Sequence, residues 1–178
     1  EAVTAPAGPT LVLAGPGSGK TRVLTKRLAH MISQGVLPTS IMAVTFTNKA
    51  ASEMRRRVET QLHGGIRGLT IGTFHATCAR ILRREAERLP VTGDFVIYDR
   101  GDQIALIKQA MVSLEISEKQ FRPERIHSVI SNSKNDLIGP DAFHNDTYFR
   151  EIVARVYDQY QRLLHENNAL DFDDLLLG

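Results

Sequence analysis

Eight consecutive residues carry the strongest chemistry in the sequence: Ala14-Gly15-Pro16-Gly17-Ser18-Gly19-Lys20-Thr21. Alternating glycines let backbone N–H groups turn inward around an anion, where a side chain would block the approach. Lys20 supplies a cation for the outer phosphates of a nucleotide, and the Thr21 hydroxyl supplies a ligand for Mg²⁺. The pattern departs from the usual phosphate-loop spacing at its first position, where Ala14 replaces glycine; alanine fits there if its dihedrals are strand-like. Gly-x-Gly-x-Gly spacing argues against a dinucleotide fingerprint, which requires Gly-x-Gly-x-x-Gly. The alternative, a glycine-rich turn that binds nothing, has no need of Lys-Thr in register.

Such a loop must be held between a strand and a helix. Leu11 to Ala14, Ile41 to Phe46, Leu69 to Phe74 and Phe95 to Tyr98 read as short buried strands, each too short for a helix. Between them run amphipathic stretches. Leu24, Leu28, Met31 and Ile32 share a helical face that stops at Gly35, and Ala51, Met54, Val58 and Leu62 share another that ends near Gly64-Gly65. Cys78, Ile81, Leu82 and Leu89 line a third before Pro90. The alternation predicts an α/β fold with a parallel sheet flanked by helices. From Asp102, expected to cap a helix, the pattern turns helical throughout. It includes a segment around Arg122 to Ser133 and a long periodic run from Phe149 to Leu164 whose aromatics read as core.

Parallel strands end on the edge where ligands bind. Thr45-Phe46-Thr47-Asn48-Lys49 and Thr73-Phe74-His75 would sit there, offering aromatics, hydroxyls, an amide and a cation that suit stacked bases and phosphates. Phe46 could instead be a core aromatic. His75-x-x-Cys78 has too few companion ligands for a metal. Asp171-Phe172-Asp173-Asp174 is the tempting metal site, but only Ala169-Leu170 precede it, a shorter apolar run than a magnesium-binding strand end usually has. Arg55 to Arg57 and Arg80, Arg83, Arg84 and Arg88 read mainly as solvated helix faces.

Composition fits this reading. The 178 residues are 42% hydrophobic and 24% charged, which argues against wholesale disorder. Apolar runs fall far short of the roughly 20 residues of a membrane span, and no signal peptide precedes the first strand. A lone cysteine, Cys78, points to a reduced, intracellular chain. The net charge of +2 conceals an asymmetry: between Lys20 and Arg88 stand 13 Lys and Arg against 4 Asp and Glu, with 9 against 16 elsewhere. A basic half suits an anionic partner.

Five ordered segments carry a resemblance. AGPGSGKTRVL (Ala14 to Leu24), AVTFTNKAASEM (Ala43 to Met54), GTFHATCARIL (Gly72 to Leu82), ISNSKN (Ile130 to Asn135) and ALDFDDLL (Ala169 to Leu176) closely resemble the amino-terminal part of the UvrD/PcrA/Rep group of superfamily-one DNA helicases. The resemblance implies an ATP- and Mg²⁺-dependent motor that moves 3′-to-5′ along single-stranded DNA and opens duplexes in repair or replication, in the bacterial cytosol. It implies a RecA-like core over residues 1–100 and 166–178, with a helical insertion over residues 101–165. Arg22 would then lie near the nucleotide. Thr45, Phe46, Thr47, Asn48, Thr73, Phe74 and His75 would contact single-stranded DNA, and Ser131, Lys134 and Asn135 would lie near a single/double-strand junction. The metal-binding acidic pair, the glutamine motif and the second motor domain with its arginines are expected outside these 178 residues, so the chain alone is expected to be inactive. A helicase–nuclease subunit of RecB or AddA type shares these motifs, and a DNA-binding module without turnover is the alternative from another class.

Overall fold

The computed structural model describes residues 1–6, 8–62 and 66–177, and the chain forms two compact units, residues 1–77 and 78–178. The expected helix stop at Gly64-Gly65 lies outside the described residues.

In the first unit, α1 (Lys20–Ser33) ends where expected. Gly35 takes a φ of +90°, its N–H donates to Ile32 and that of Val36 to Met31, a paired closure that only a left-handed residue permits cheaply. β1 (Met42–Thr45) and β2 (Thr70–Thr73) pair in parallel, with Met42 opposite Thr70 and Thr45 opposite Thr73. Between them runs α2 (Asn48–Leu62), the crossover that parallel pairing demands. Ala43 and Ile71 turn into a core with Leu28, Met54 and Val58, while Met42 faces outward, as strand alternation requires.

One expected strand is missing. Residues 11–14 form no strand, and Leu11 and Leu13 are 84% and 86% exposed. A strand exists only as a member of a ladder. Among the described residues no strand pairs with this segment, so a strand-like sequence stays outside any sheet and largely exposed.

α3 (Phe74–Arg84) opens directly at the end of β2 and stops five residues short of Leu89, which follows a short 3₁₀ turn. In the second unit β3 (Val96–Tyr98) pairs in parallel with β4 (Ala169–Asp171), a strand that the sequence analysis did not expect. The described residues thus hold two separate two-stranded sheets rather than the single parallel sheet anticipated. Between β3 and β4 in the chain come α4 (Arg100–Ser113), α5 (Pro123–Asn135) and α6 (Tyr148–Glu166); α7 (Asp174–Leu177) follows β4. Ile107, Met111, Ile126, Ile130, Val156 and Leu164 interlock in their core, joined by Tyr157 and Tyr160, the core role expected for the α6 aromatics.

The cap of α4 is Asp99, not Asp102. Asp99 Oδ1 accepts from the N–H groups of Gly101 and Asp102, at 2.7 and 3.0 Å, and Asp102 Oδ2 accepts from Asp99 N–H at 3.1 Å. The two aspartates form a reciprocal capping box in which Asp102 is the third helical residue. Asp99→Ala should therefore cost about 1–2 kcal/mol and Asp102→Ala less than about 1 kcal/mol. Denaturant unfolding of the two variants checks this, and equal losses would contradict the assignment.

Candidate functional site

The phosphate-loop segment stands immediately before α1, exposed from Ala14 to Ser18. Gly17 and Gly19 have φ of +75° and +88°, the left-handed region that residues with a Cβ avoid. Gly19 is the N-cap of α1, and among the described residues no side-chain cap bonds the helix's first N–H groups, which can take an anion. The loop closes on itself. Lys20 Nζ donates to the carbonyls of Ala14 at 2.9 Å and Gly15 at 2.7 Å, and Ser18 Oγ to Gly15 at 2.6 Å. Pro16 lies on the same exposed turn, and Thr21 and Arg22 project from the first turn of α1, also exposed. Beside Lys20 a cavity of about 320 Å³ runs along α1, at the small end of the roughly 300–1,000 Å³ of small-molecule sites. These features fit a phosphate-bearing ligand: free N–H groups, positive φ where glycine stands, and a movable cation. Among the described residues no three His, Cys, Asp or Glu side chains gather to hold a metal, so the Thr21 hydroxyl is what this loop offers to Mg²⁺.

The register of β1 and β2 builds a second surface in the same unit. Because Thr45 lies opposite Thr73, the residues that follow emerge side by side. Phe46 is 89% exposed and Phe74 42%, with ring centroids 5.6 Å apart and planes inclined at 43°. Phe46 is therefore no core aromatic. The threonines next to them serve as helix caps: Thr47 Oγ1 accepts from Ala50 N–H at 3.1 Å, and Thr73 Oγ1 from Ala76 N–H at 3.2 Å. Each hydroxyl keeps a proton to donate outward. Asn48, Lys49 and His75 are exposed on the first turns of α2 and α3, where helix dipoles favour anions. Arg55, read from the sequence as a solvated cation, instead donates to the Ile71 carbonyl at 3.0 Å and braces β2. Arg56 and Arg57 both pair with Glu53, whose carboxyl is held below its ordinary range by those hydrogen bonds.

In the second unit the structure gives Lys134 a role that the sequence analysis missed. Its side chain is fully buried, and Nζ donates to Asp171 Oδ2 and Asp174 Oδ1, both at 2.7 Å. Tyr160 O–H donates to Asp171 at 2.8 Å and Gln161 to Asp174 at 3.2 Å. The two aspartates also bond each other's backbone N–H. Lys134 thus has no face left for a phosphate, which corrects its expected place near DNA: its ammonium is spent on neutralising two buried carboxylates. Asn135 and Ser131 remain at or near the surface, with Asn135 Nδ2 donating to the Ser131 carbonyl. Burial pushes both carboxyls up. At Asp171 the ammonium and its hydrogen bonds outweigh burial and leave it below the usual range; at Asp174 burial wins, helped by the charge of Asp171, and leaves it above. The Asp-x-x-Asp spacing of a capping box was the available sequence signal.

The phosphate-loop and strand-end geometry is that of an α/β protein with an exposed glycine-rich loop and an exposed aromatic edge. The family model described as the UvrD/REP helicase N-terminal domain matches residues 1–178, and the chain belongs to that family. Similar proteins include the ATP-dependent DNA helicase PcrA of Bacillus subtilis strain 168, 44% identical over 99% of this chain and 24% of that protein. PcrA of Staphylococcus epidermidis RP62A is 45% identical, and PcrA of Staphylococcus aureus Mu50 46%, each over 99% of this chain and 25% of the relative. The chain thus spans about a quarter of the length of these relatives. No helix among the described residues is long and apolar enough to cross a membrane.

Removing the buried cation alone should be costly. Lys134→Met leaves two carboxylates without their partner, and the expected loss is about 3–5 kcal/mol near neutral pH. Without the ammonium, both folded-state pKa values lie above their unfolded values. The folded variant then binds more protons than the unfolded chain, and its stability rises as pH falls. The deficit relative to wild type should shrink between about pH 7 and about pH 5. Urea unfolding at both pH values checks this, and a constant deficit would contradict the account.

Proposed function

We propose that this chain forms the nucleotide-binding and DNA-tracking portion of an ATP-dependent 3′-to-5′ DNA helicase. The observation that carries the reading is the exposed Phe46–Phe74 pair at the carboxyl ends of β1 and β2, flanked by the threonine-capped N-termini of α2 and α3, in the unit that also bears the phosphate loop. Paired aromatics beside positive helix ends suit single-stranded DNA, whose bases stack on rings without sequence readout while its phosphates take N–H groups and cations. Family membership and the PcrA relatives support the same reading.

In this proposal residues 1–100 and 166–178 belong to a RecA-like core, and residues 101–165 are a helical insertion. The loop from Ala14 to Thr21 takes the phosphates of ATP, with the nucleoside along the α1 cavity near Arg22. Lys20 exchanges its two loop carbonyls for phosphate oxygens, and the Thr21 hydroxyl ligates Mg²⁺. Bound Mg²⁺ supplies charge neutralisation for phosphoryl transfer. Thr45, Phe46, Thr47, Asn48, Thr73, Phe74 and His75 line the DNA path, with Asn135 towards a junction. The working compartment is the bacterial cytosol, where repair or replication would supply such DNA.

Titration of single-stranded DNA against the full-length protein tests the path. Phe46→Ala should weaken binding by about 1–3 kcal/mol irrespective of base sequence, and wild-type affinity should fall steeply with salt. Unchanged affinity in a Phe46→Ala/His75→Ala double variant would remove this edge from the DNA path.

A further inference from the structure

Arg27 sits two turns along α1 from Lys20, and both terminal nitrogens of its guanidinium donate to backbone carbonyls. Nη1 donates to Ala5 at 2.9 Å, Ala2 at 3.2 Å and Val3 at 3.5 Å, and Nη2 to Pro6 at 3.4 Å. Residues 2–6 join no strand or helix, and the Glu1–Thr4 turn is a local contact that fastens them to nothing else. A permanently charged, planar fork with five donors is the side chain able to gather several carbonyl dipoles at once; an ammonium has neither the span nor the fixed geometry. Arg27 therefore fastens the amino-terminal segment to α1.

That fastening shapes the cavity. Lys20, Val23, Leu24 and Arg27 follow the i, i+3, i+4, i+7 spacing of one helix face, and all four line it. Ala2, from the fastened segment, with Thr10 and Val12, supplies the rest of the lining. The cavity runs from the phosphate-loop cation, across two apolar side chains, to Arg27, about 10 Å further along the helix axis. The middle suits an apolar ring, and the Lys20 end suits a phosphate.

We propose that Arg27 is a positioning residue for nucleotide binding: by holding residues 2–6 through their carbonyls it keeps in place the cavity wall against which the nucleoside lies. The proposal rests on the reading that phosphates bind at Lys20. Arg27 touches neither the phosphates nor the loop carbonyls that Lys20 bonds, so its loss separates recognition of the nucleoside from recognition of the phosphates.

The test is competition binding to the full-length protein, using ATP and inorganic tripolyphosphate as competitors of a fluorescent nucleotide. Arg27→Gln removes the charge; Arg27→Lys is the milder variant, keeping charge and bulk but losing the fork. In both variants ATP should bind about tenfold more weakly or worse, while tripolyphosphate stays within about twofold of wild type. Equal losses for the two competitors would show that Arg27 supports the loop or the fold at large and would overturn the proposal, as would unchanged ATP affinity in both variants. A Lys20→Ala protein that still binds tripolyphosphate normally would instead refute phosphate binding at the loop, and this proposal with it.

Discussion

The parallel register of β1 with β2 is the constraint on which the candidate DNA surface depends. Once Thr45 is fixed opposite Thr73, every feature of the strand ends follows from chain geometry. Phe46 and Phe74 leave their strands beside each other, Thr47 and Thr73 fall at helix N-caps, and the first turns of α2 and α3 open on the same edge. A slip of one residue would reverse the inward and outward faces of β1, burying Met42 and expelling Ala43 from the core. The apolar core around Val58 and Ile71 therefore enforces the placement of groups that contribute nothing to that core. Arg55 adds a further hold by bonding the Ile71 carbonyl of β2.

The second unit solves a different problem, the burial of three formal charges. One ammonium and two carboxylates, each at most 5% exposed, are stable together only because every one of the four carboxylate oxygens accepts a hydrogen bond. Such a cluster adds little net stability over an apolar one, yet it tolerates few arrangements. It links α5, α6, β4 and α7, elements brought together from residues 37 and 40 positions apart. Its value to the fold is specificity: α5 packs in the one orientation that delivers Lys134 to both aspartates.

Much of this was legible from local sequence, because local rules decide it. The phosphate-loop spacing, the Gly35 stop, the periodic face of α6 and the composition of three of the expected strands are set by residues within a few positions of one another. What escaped depends on distant partners. Leu11 to Ala14 reads as a strand by composition, but strand formation needs a neighbouring ladder that the segment itself cannot supply. β4 was hidden for the converse reason: three residues become a strand because β3 is there to pair with them. The cap of α4 was misplaced by three residues because both aspartates of a capping box look like caps. Lys134 was placed near DNA by resemblance alone, and only the fold shows Asp171 and Asp174 facing it.

The two lysines singled out from the sequence show why environment, not residue type, decides which cation can serve an anion. Lys20 is exposed and bonds two neutral carbonyls, each bond worth about 0.5–1.5 kcal/mol net. A phosphate oxygen offers roughly twice the strength of a neutral acceptor, and water can replace any carbonyl left behind, so exchange is favourable and reversible. Lys134 bonds two carboxylates with no exposure to solvent. Drawing it towards a phosphate would strand both carboxylates in the interior, at a cost of about 3–5 kcal/mol before any gain. The same ammonium is thus exposed and replaceably bonded in one unit and a fixed structural charge in the other. The difference lies in whether its present partners can return to water when it leaves.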